Sequence, residues 1–215
     1  MKKDQIIEGL LTPGVVAIIR ADNSEQLIDA SRALIAGGIS GIEVTMTTPN
    51  ALKVIADVRQ VFGDKVLVGV GSVLDAKTAE AAVAAGAEFV VTPVQRPDVI
   101  AWCNRVGKPV FAGSYTPTEA QVATELGADF VKIFPADGLG PNYIRAIRGP
   151  LPHLKIVPTG GVDVNTAGDF IKAGCVAVAA GSSLVSKEIL KNRDWKKLTD
   201  LASQFLAAVA KARGK

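Results

Sequence analysis

Two side chains in this sequence are placed where a carbonyl reaction could use them. In Phe130-Val131-Lys132-Ile133-Phe134 a lysine stands between β-branched and aromatic residues. Side chains alternate along a strand, so Val131 and Ile133 share one face and Lys132 takes the other. If the aliphatic pair packs on helices, Lys132 points to the inside of the sheet. Burying an unpaired ammonium is costly, and a neutral amine is what attack on a carbonyl carbon requires. The competing readings are an exposed lysine at a strand end and a buried ion pair. Glu43 follows the same logic in Gly41-Ile42-Glu43-Val44-Thr45, where Ile42 and Val44 share one face and Glu43 and Thr45 the other. An inward carboxylate is a candidate general acid and base; otherwise it only pairs with Lys132 or Arg20. The two residues lie far apart in sequence, so the fold must bring them together.

A third element is a pair of glycine loops, Thr159-Gly160-Gly161-Val162 and Gly181-Ser182-Ser183. Glycine lets the backbone approach an anion closely, and Ser182 adds a hydroxyl donor. Such loops build phosphate sites from backbone N–H groups and a helix N-terminus; the plainer reading is two tight turns. Arg20, Thr45, Thr47, Ser72 and Phe134 stand at or just beyond other strand ends as candidate substrate contacts. His153 is the only histidine and falls in a loop, which nearly removes histidine triads and histidine-rich metal sites. The carboxylates have no metal-ligand spacing, and neither a metal nor another cofactor is expected.

These residues need a scaffold with many strand ends at one place. Continuous β-branched runs occur at Val15–Arg20, Ile42–Thr45, Val66–Val70, Phe89–Thr92, Val110–Ala112, Phe130–Phe134, Lys155–Pro158 and Val176–Ala179. Between them lie Ala-rich helical stretches that end at Gly37, Gly63, Gly86, Gly107, Gly127, Gly149 and Gly174, spaced 20–26 residues apart. A glycine just past a helix relieves the strain of a left-handed cap. Strands alternating with helices argue a parallel sheet. Eight of them in 215 residues argue a closed (β/α)8 TIM barrel rather than an open doubly wound sheet. Residues 1–215 are expected to form a single domain, with an extra N-terminal helix over residues 1–12 beneath the barrel. Chemistry in such barrels sits at the C-terminal ends of the strands.

Composition narrows the classes further. Net charge is +3, from 24 basic and 21 acidic residues, too balanced to imply nucleic acid. The lysines between Lys187 and Lys197 read as a solvated helix face, and Trp102 and Trp195 as packing residues. Cys103 and Cys175 read as reduced, buried thiols. No apolar run reaches the roughly 18 residues of a membrane span, and the N-terminus has no apolar signal core, so a cytoplasmic location is expected.

Gly41-Ile42-Glu43-Val44-Thr45, Gly69-Val70-Gly71-Ser72-Val73-Leu74, Thr116-Pro117-Thr118-Glu119, Val131-Lys132-Ile133-Phe134-Pro135-Ala136, Pro158-Thr159-Gly160-Gly161-Val162 and Gly181-Ser182-Ser183-Leu184 resemble, in order, the motifs of the KDPG/KHG aldolases. These enzymes act on 2-keto-3-deoxy-6-phosphogluconate and 4-hydroxy-2-oxoglutarate. The resemblance implies a metal-independent class I aldolase, a (β/α)8 barrel usually assembled as a homotrimer, acting on a small 2-keto acid. It implies Lys132 as the Schiff-base lysine and Glu43 as the general acid and base. Ser72 matches a contact to the substrate carboxylate, and Gly161, Gly181 and Ser182 match the phosphate loops. Arg20 matches an arginine that some members use at the substrate. Two positions depart from the family pattern. Thr47 stands where many members carry a carboxylate-binding arginine, and Ala112-Gly113 stands in place of Pro-Gly. Arg20 is a candidate to take over the carboxylate in a bidentate pair. The competing functions are a non-covalent sugar-phosphate epimerase or isomerase barrel and a non-catalytic ligand-binding or assembling barrel.

Overall fold

The computed structural model describes residues 1–214. Its elements run α1 (Lys3–Leu11), β1 (Val15–Ile19), α2 (Ser24–Ala36), β2 (Gly41–Thr45), α3 (Ala51–Phe62), β3 (Leu67–Gly71), α4 (Ala76–Ala84), β4 (Phe89–Val91), α5 (Pro97–Val106), β5 (Val110–Ser114), α6 (Pro117–Glu125), β6 (Phe130–Ile133), α7 (Gly140–Arg148), β7 (Ile156–Pro158), α8 (Val164–Lys172), β8 (Val178–Ala180), α9 (Lys187–Asn192) and α10 (Trp195–Ala212). All seven ladders between successive strands and between β1 and β8 are parallel. The sheet order is β7-β6-β5-β4-β3-β2-β1-β8, and an isolated bridge from Thr159 to Ala179 closes the ring. The fold is therefore a (β/α)8 barrel, as expected.

Local chemistry explains where helices begin. Asn23, Asp75 and Ser186 cap α2, α4 and α9 by accepting backbone N–H groups. Thr116 and Glu119 form a capping box on α6, with Pro117 in its first turn. The Thr116-Pro117-Thr118-Glu119 motif is thus a helix start. The N–H groups of Thr116 and Tyr115 hold the Glu119 carboxyl below its usual range.

Helix ends follow the glycine pattern with two corrections. Gly63, Gly86, Gly107, Gly127 and Gly174 have positive φ. Gly37 has φ −84°, and it is Gly38, at φ 93°, that takes the left-handed turn after α2. Gly149 has φ −52°, because right-handed hydrogen bonding continues past it, with Leu151 N–H donating to Ile147 O. Strand limits also differ. β1 stops at Ile19, which leaves Arg20 in the loop, β5 runs on to Ser114, and β8 starts only at Val178.

Two apolar layers follow from the alternation. Val15, Ile42, Val44, Val131 and Ile133 pack outward on the helices. Val16, Ile18, Leu67, Phe89, Phe111, Phe130 and Val157 fill the lumen, joined by Ile6 and Leu10 of α1, which plugs the lower mouth. Phe111 stacks on Phe130 at 4.4 Å between ring centroids and meets Phe89 at 5.6 Å. These rings floor the upper half of the barrel. Cys103 and Cys175 are free and buried, and burial pushes both thiols up to about 12. The lysine-rich segment spans α9 and α10, with its lysines exposed. Trp102 is buried in α5 and Trp195 packs on the core. Among the described residues no helix is long and apolar enough to cross a membrane.

Candidate active site

Lys132 leaves β6 on the lumen side, two residues above Phe130. It is bounded on the strand register by Gly113 of β5 and Val157 of β7. Glu43 leaves β2 inward, level with Gly69 of β3. β2 and β6 stand on opposite walls of the ring, with three strands between them on either side. Their side chains meet across the lumen, Lys132 Nζ lying 3.9 Å from Glu43 Oε1, and only 8% and 3% of these side chains are exposed. This distance exceeds a direct hydrogen bond. It leaves a small polar group, such as a hydroxyl between amine and carboxylate, within reach of both.

The wall around the lysine is built of groups that leave it room. A side chain on Gly113 would strike the Pro93 backbone at 2.2 Å. The Phe134 ring lies 5.3 Å from Lys132 Nζ, so its face is turned to the amine. Phe134 is also a wall of a cavity of about 320 Å³, lined further by Ile18, Arg20, Thr159, Gly160, Gly161, Gly181 and Ser182. The lysine and this cavity are therefore neighbours. Gly160 and Gly161 both have positive φ, 89° and 68°, and a Cβ on Gly161 would meet Asp137 at 2.5 Å. The loops after β7 and β8 are tied together by the Ser183 hydroxyl, which donates to Val162 O. Arg20 reaches into the same cavity, its Nη1 3.6 Å from where a Cβ on Gly181 would be. The guanidinium thus sits with the glycine loops. The N-terminus of α8 beside them is capped by Asp163, which takes the N–H groups of Asn165 and Thr166.

Thr45 and Thr47 form a second polar cluster at the top of β2, with their hydroxyls 2.7 Å apart. Ser72 follows Gly71 of β3 in the left-handed region, at φ 60°. Such a conformation is uncommon for a residue with a side chain and is typical of functional loops.

Lys132, Glu43, Arg20, Phe134, Gly160, Gly161, Gly181 and Ser182 are thus gathered at the upper mouth, and Thr45, Thr47 and Ser72 stand on its β2–β3 side. Three contributors carried no separate signal in the sequence. Ser183 couples the glycine loops, Asp163 occupies the helix end there, and Thr159 points a buried hydroxyl, without a hydrogen-bond partner, from the cavity wall. An Asp followed by a helical run was the available clue for Asp163. Among the described residues no cluster of three His, Cys, Asp or Glu could hold a metal ion. His153 lies away from the site, its ring bonded to Gln121.

A family profile described as KDPG and KHG aldolase matches residues 6–201. The 2-dehydro-3-deoxy-phosphogluconate aldolase of Treponema pallidum is 37% identical over 205 residues, covering 95% of this chain and 97% of that protein. A native KDPGal structure matches with a TM-score of 0.87 at 30% identity, over 94% of this chain and 96% of that one. A KDPG aldolase from Legionella pneumophila, crystallised with pyruvate captured at low pH as a covalent carbinolamine intermediate, gives a TM-score of 0.80 at 30% identity, over 91% and 96% of the two chains.

Proposed function

The chain belongs to the KDPG and KHG aldolase family, a family of lyases, and we propose that it cleaves a 6-phosphorylated 2-keto-3-deoxy sugar acid to pyruvate and an aldehyde through an imine on Lys132. The observation that carries this reading is the buried amine facing a buried carboxylate at 3.9 Å, beside a cavity walled by glycine loops and an arginine.

The unprotonated Lys132 amine adds to the C2 carbonyl carbon. Glu43 delivers a proton to the carbinolamine hydroxyl, which leaves as water and gives a protonated imine. Glu43, now a carboxylate, takes the proton of the C4 hydroxyl. The C3–C4 bond breaks, its electron pair moves into the imine, and the aldehyde departs. Glu43 returns the proton to C3 of the enamine; water then adds to the imine, gives its proton to the Glu43 carboxylate, and releases pyruvate and the free amine. No metal is needed, because the iminium is the electron sink. The Phe111–Phe130 floor and the Phe134 ring exclude bulk water, which preserves the enamine.

The two ends of the substrate are told apart by charge. Arg20, Gly160, Gly161, Gly181 and Ser182 take the phosphate, while Thr45, Thr47 and Ser72 hold the carboxylate by hydroxyl donors. The whole chain works as one cytoplasmic barrel domain. Leu74, Val94 and Tyr115, exposed just past β3, β4 and β5, favour a homotrimer, which light scattering would test directly.

Borohydride reduction in the presence of pyruvate tests the imine. The expected result is a pyruvyl increment mapped to Lys132 and loss of activity. An active enzyme that gives no adduct would refute the covalent route and favour a non-covalent acid/base pair.

A further inference from the structure

The inner face of β3 presents two glycines, Gly69 and Gly71, and the space above each is occupied by a neighbour. Over Gly69 lies the Phe89 ring, 2.2 Å from an added Cβ. That contact belongs to the barrel floor. Over Gly71 lies Glu43: an added Cβ would stand 1.9 Å from Oε1, 2.6 Å from Cδ and 2.8 Å from Cγ. All three distances are shorter than any Cβ contact a protein tolerates. The backbone does not itself call for glycine here, since Gly71 is not among the residues with positive φ and pairs normally in its ladder with Thr45. A methyl group at this position and the carboxylate in its observed place are mutually exclusive.

We propose that Gly71 is a positioning residue for the acid/base carboxylate: the side chain it lacks is the space that holds Glu43 against Lys132. The carboxylate side chain is 3% exposed, and a methyl group on Gly71 would displace it from the position in which it stands 3.9 Å from the amine. Gly161, by contrast, needs glycine for its left-handed backbone, and Gly113 for the close approach of the Pro93 main chain. Gly71 is the glycine of the site whose requirement comes from a reacting group. This role rests on Glu43 being the acid and base of the reaction.

The test is a double-mutant cycle of Gly71→Ala with Glu43→Ala read on Tm, with the kcat of Gly71→Ala and of Glu43→Gln measured alongside. Gly71→Ala is expected to lower kcat by about 100-fold, the lower end of what a positioned acid/base group contributes, and to leave KM within about threefold. Truncation of Glu43 to alanine removes Cγ, Cδ and Oε1, the three nearest atoms that the methyl group would strike. Gly71→Ala should therefore lower Tm less in the Glu43→Ala background than in the parent. Equal costs in both backgrounds would overturn the proposal, as would a Gly71→Ala enzyme within threefold of the parent. If Gly71→Ala alone does not fold, the double variant must; a double variant equally unfolded overturns it as well. A fully active Glu43→Gln enzyme would remove Glu43 from the mechanism itself. An inactive Glu43→Gln beside a fully active Gly71→Ala removes only the positioning role.

Discussion

Replacing Arg20 by glutamine separates the two ends of the substrate. Arg20 is exposed at its loop but its guanidinium enters the cavity formed by the loops after β7 and β8. A hydrogen bond from a charged donor is worth about 1.5–3 kcal/mol, and each 1.4 kcal/mol is roughly tenfold. The phosphorylated substrate should thus lose about 10- to 150-fold in kcat/KM, towards the lower end because solvent screens an exposed guanidinium. The same sugar acid without its phosphate has no charge at that end and should change by less than about threefold. Pyruvate release coupled to lactate dehydrogenase measures both with one signal. Raising the ionic strength should narrow the difference for the parent enzyme and hardly affect the variant. Borohydride trapping of pyruvate on Lys132 should be unchanged, because the keto acid end is untouched. Equal losses with the two substrates would refute the assignment, since Arg20 would then be holding the carboxylate they share.

Three further outcomes follow from the geometry. Glu43→Gln keeps the shape and removes the base, so kcat should fall by about 10²–10⁴; exchange of the pyruvate methyl protons with D2O, read by NMR, should fall with it, and unaltered exchange would take Glu43 out of the proton path. Phe111→Ala removes the middle ring of the floor, stacked at 4.4 Å on Phe130, and should cost about 3–5 kcal/mol in urea unfolding; a cost under about 1 kcal/mol would mean that the lumen collapses without it. Burial raises the Cys103 and Cys175 thiols from 9.0 to about 12. A raised folded value means that the neutral thiols support the fold fully below pH 9, and that this support fades as pH rises from 9 towards 12. Cys103→Ala with Cys175→Ala should flatten the alkaline fall in the urea midpoint, and an unchanged slope would assign that fall to other groups.

What could be read from the sequence was whatever depends on one strand at a time. The aliphatic neighbours Val131 and Ile133, and Ile42 and Val44, fixed the facing of Lys132 and Glu43 by period alone. What could not be read depends on which strands become neighbours. Arg20 and Gly181 are at opposite ends of the chain, and β1 meets β8 only when the ring closes. Before that closure nothing tells Arg20 to face the glycine loops rather than the threonines of β2. The same holds for Gly71, whose meaning lies in a side chain from the next strand. In Gly69-Val70-Gly71 the two glycines are indistinguishable as text, yet one makes space for the Phe89 ring of β4 and the other for the Glu43 carboxylate of β2. A parallel ladder admits a neighbour's side chain from either flank, and the register decides from which. That register is set by the outward-facing aliphatics packing on the helices, since a slip of one residue would turn every side chain over. The pairing of amine and carboxylate across the lumen is therefore enforced from outside the barrel. Core residues such as Val44 and Ile133 control catalytic geometry without touching it.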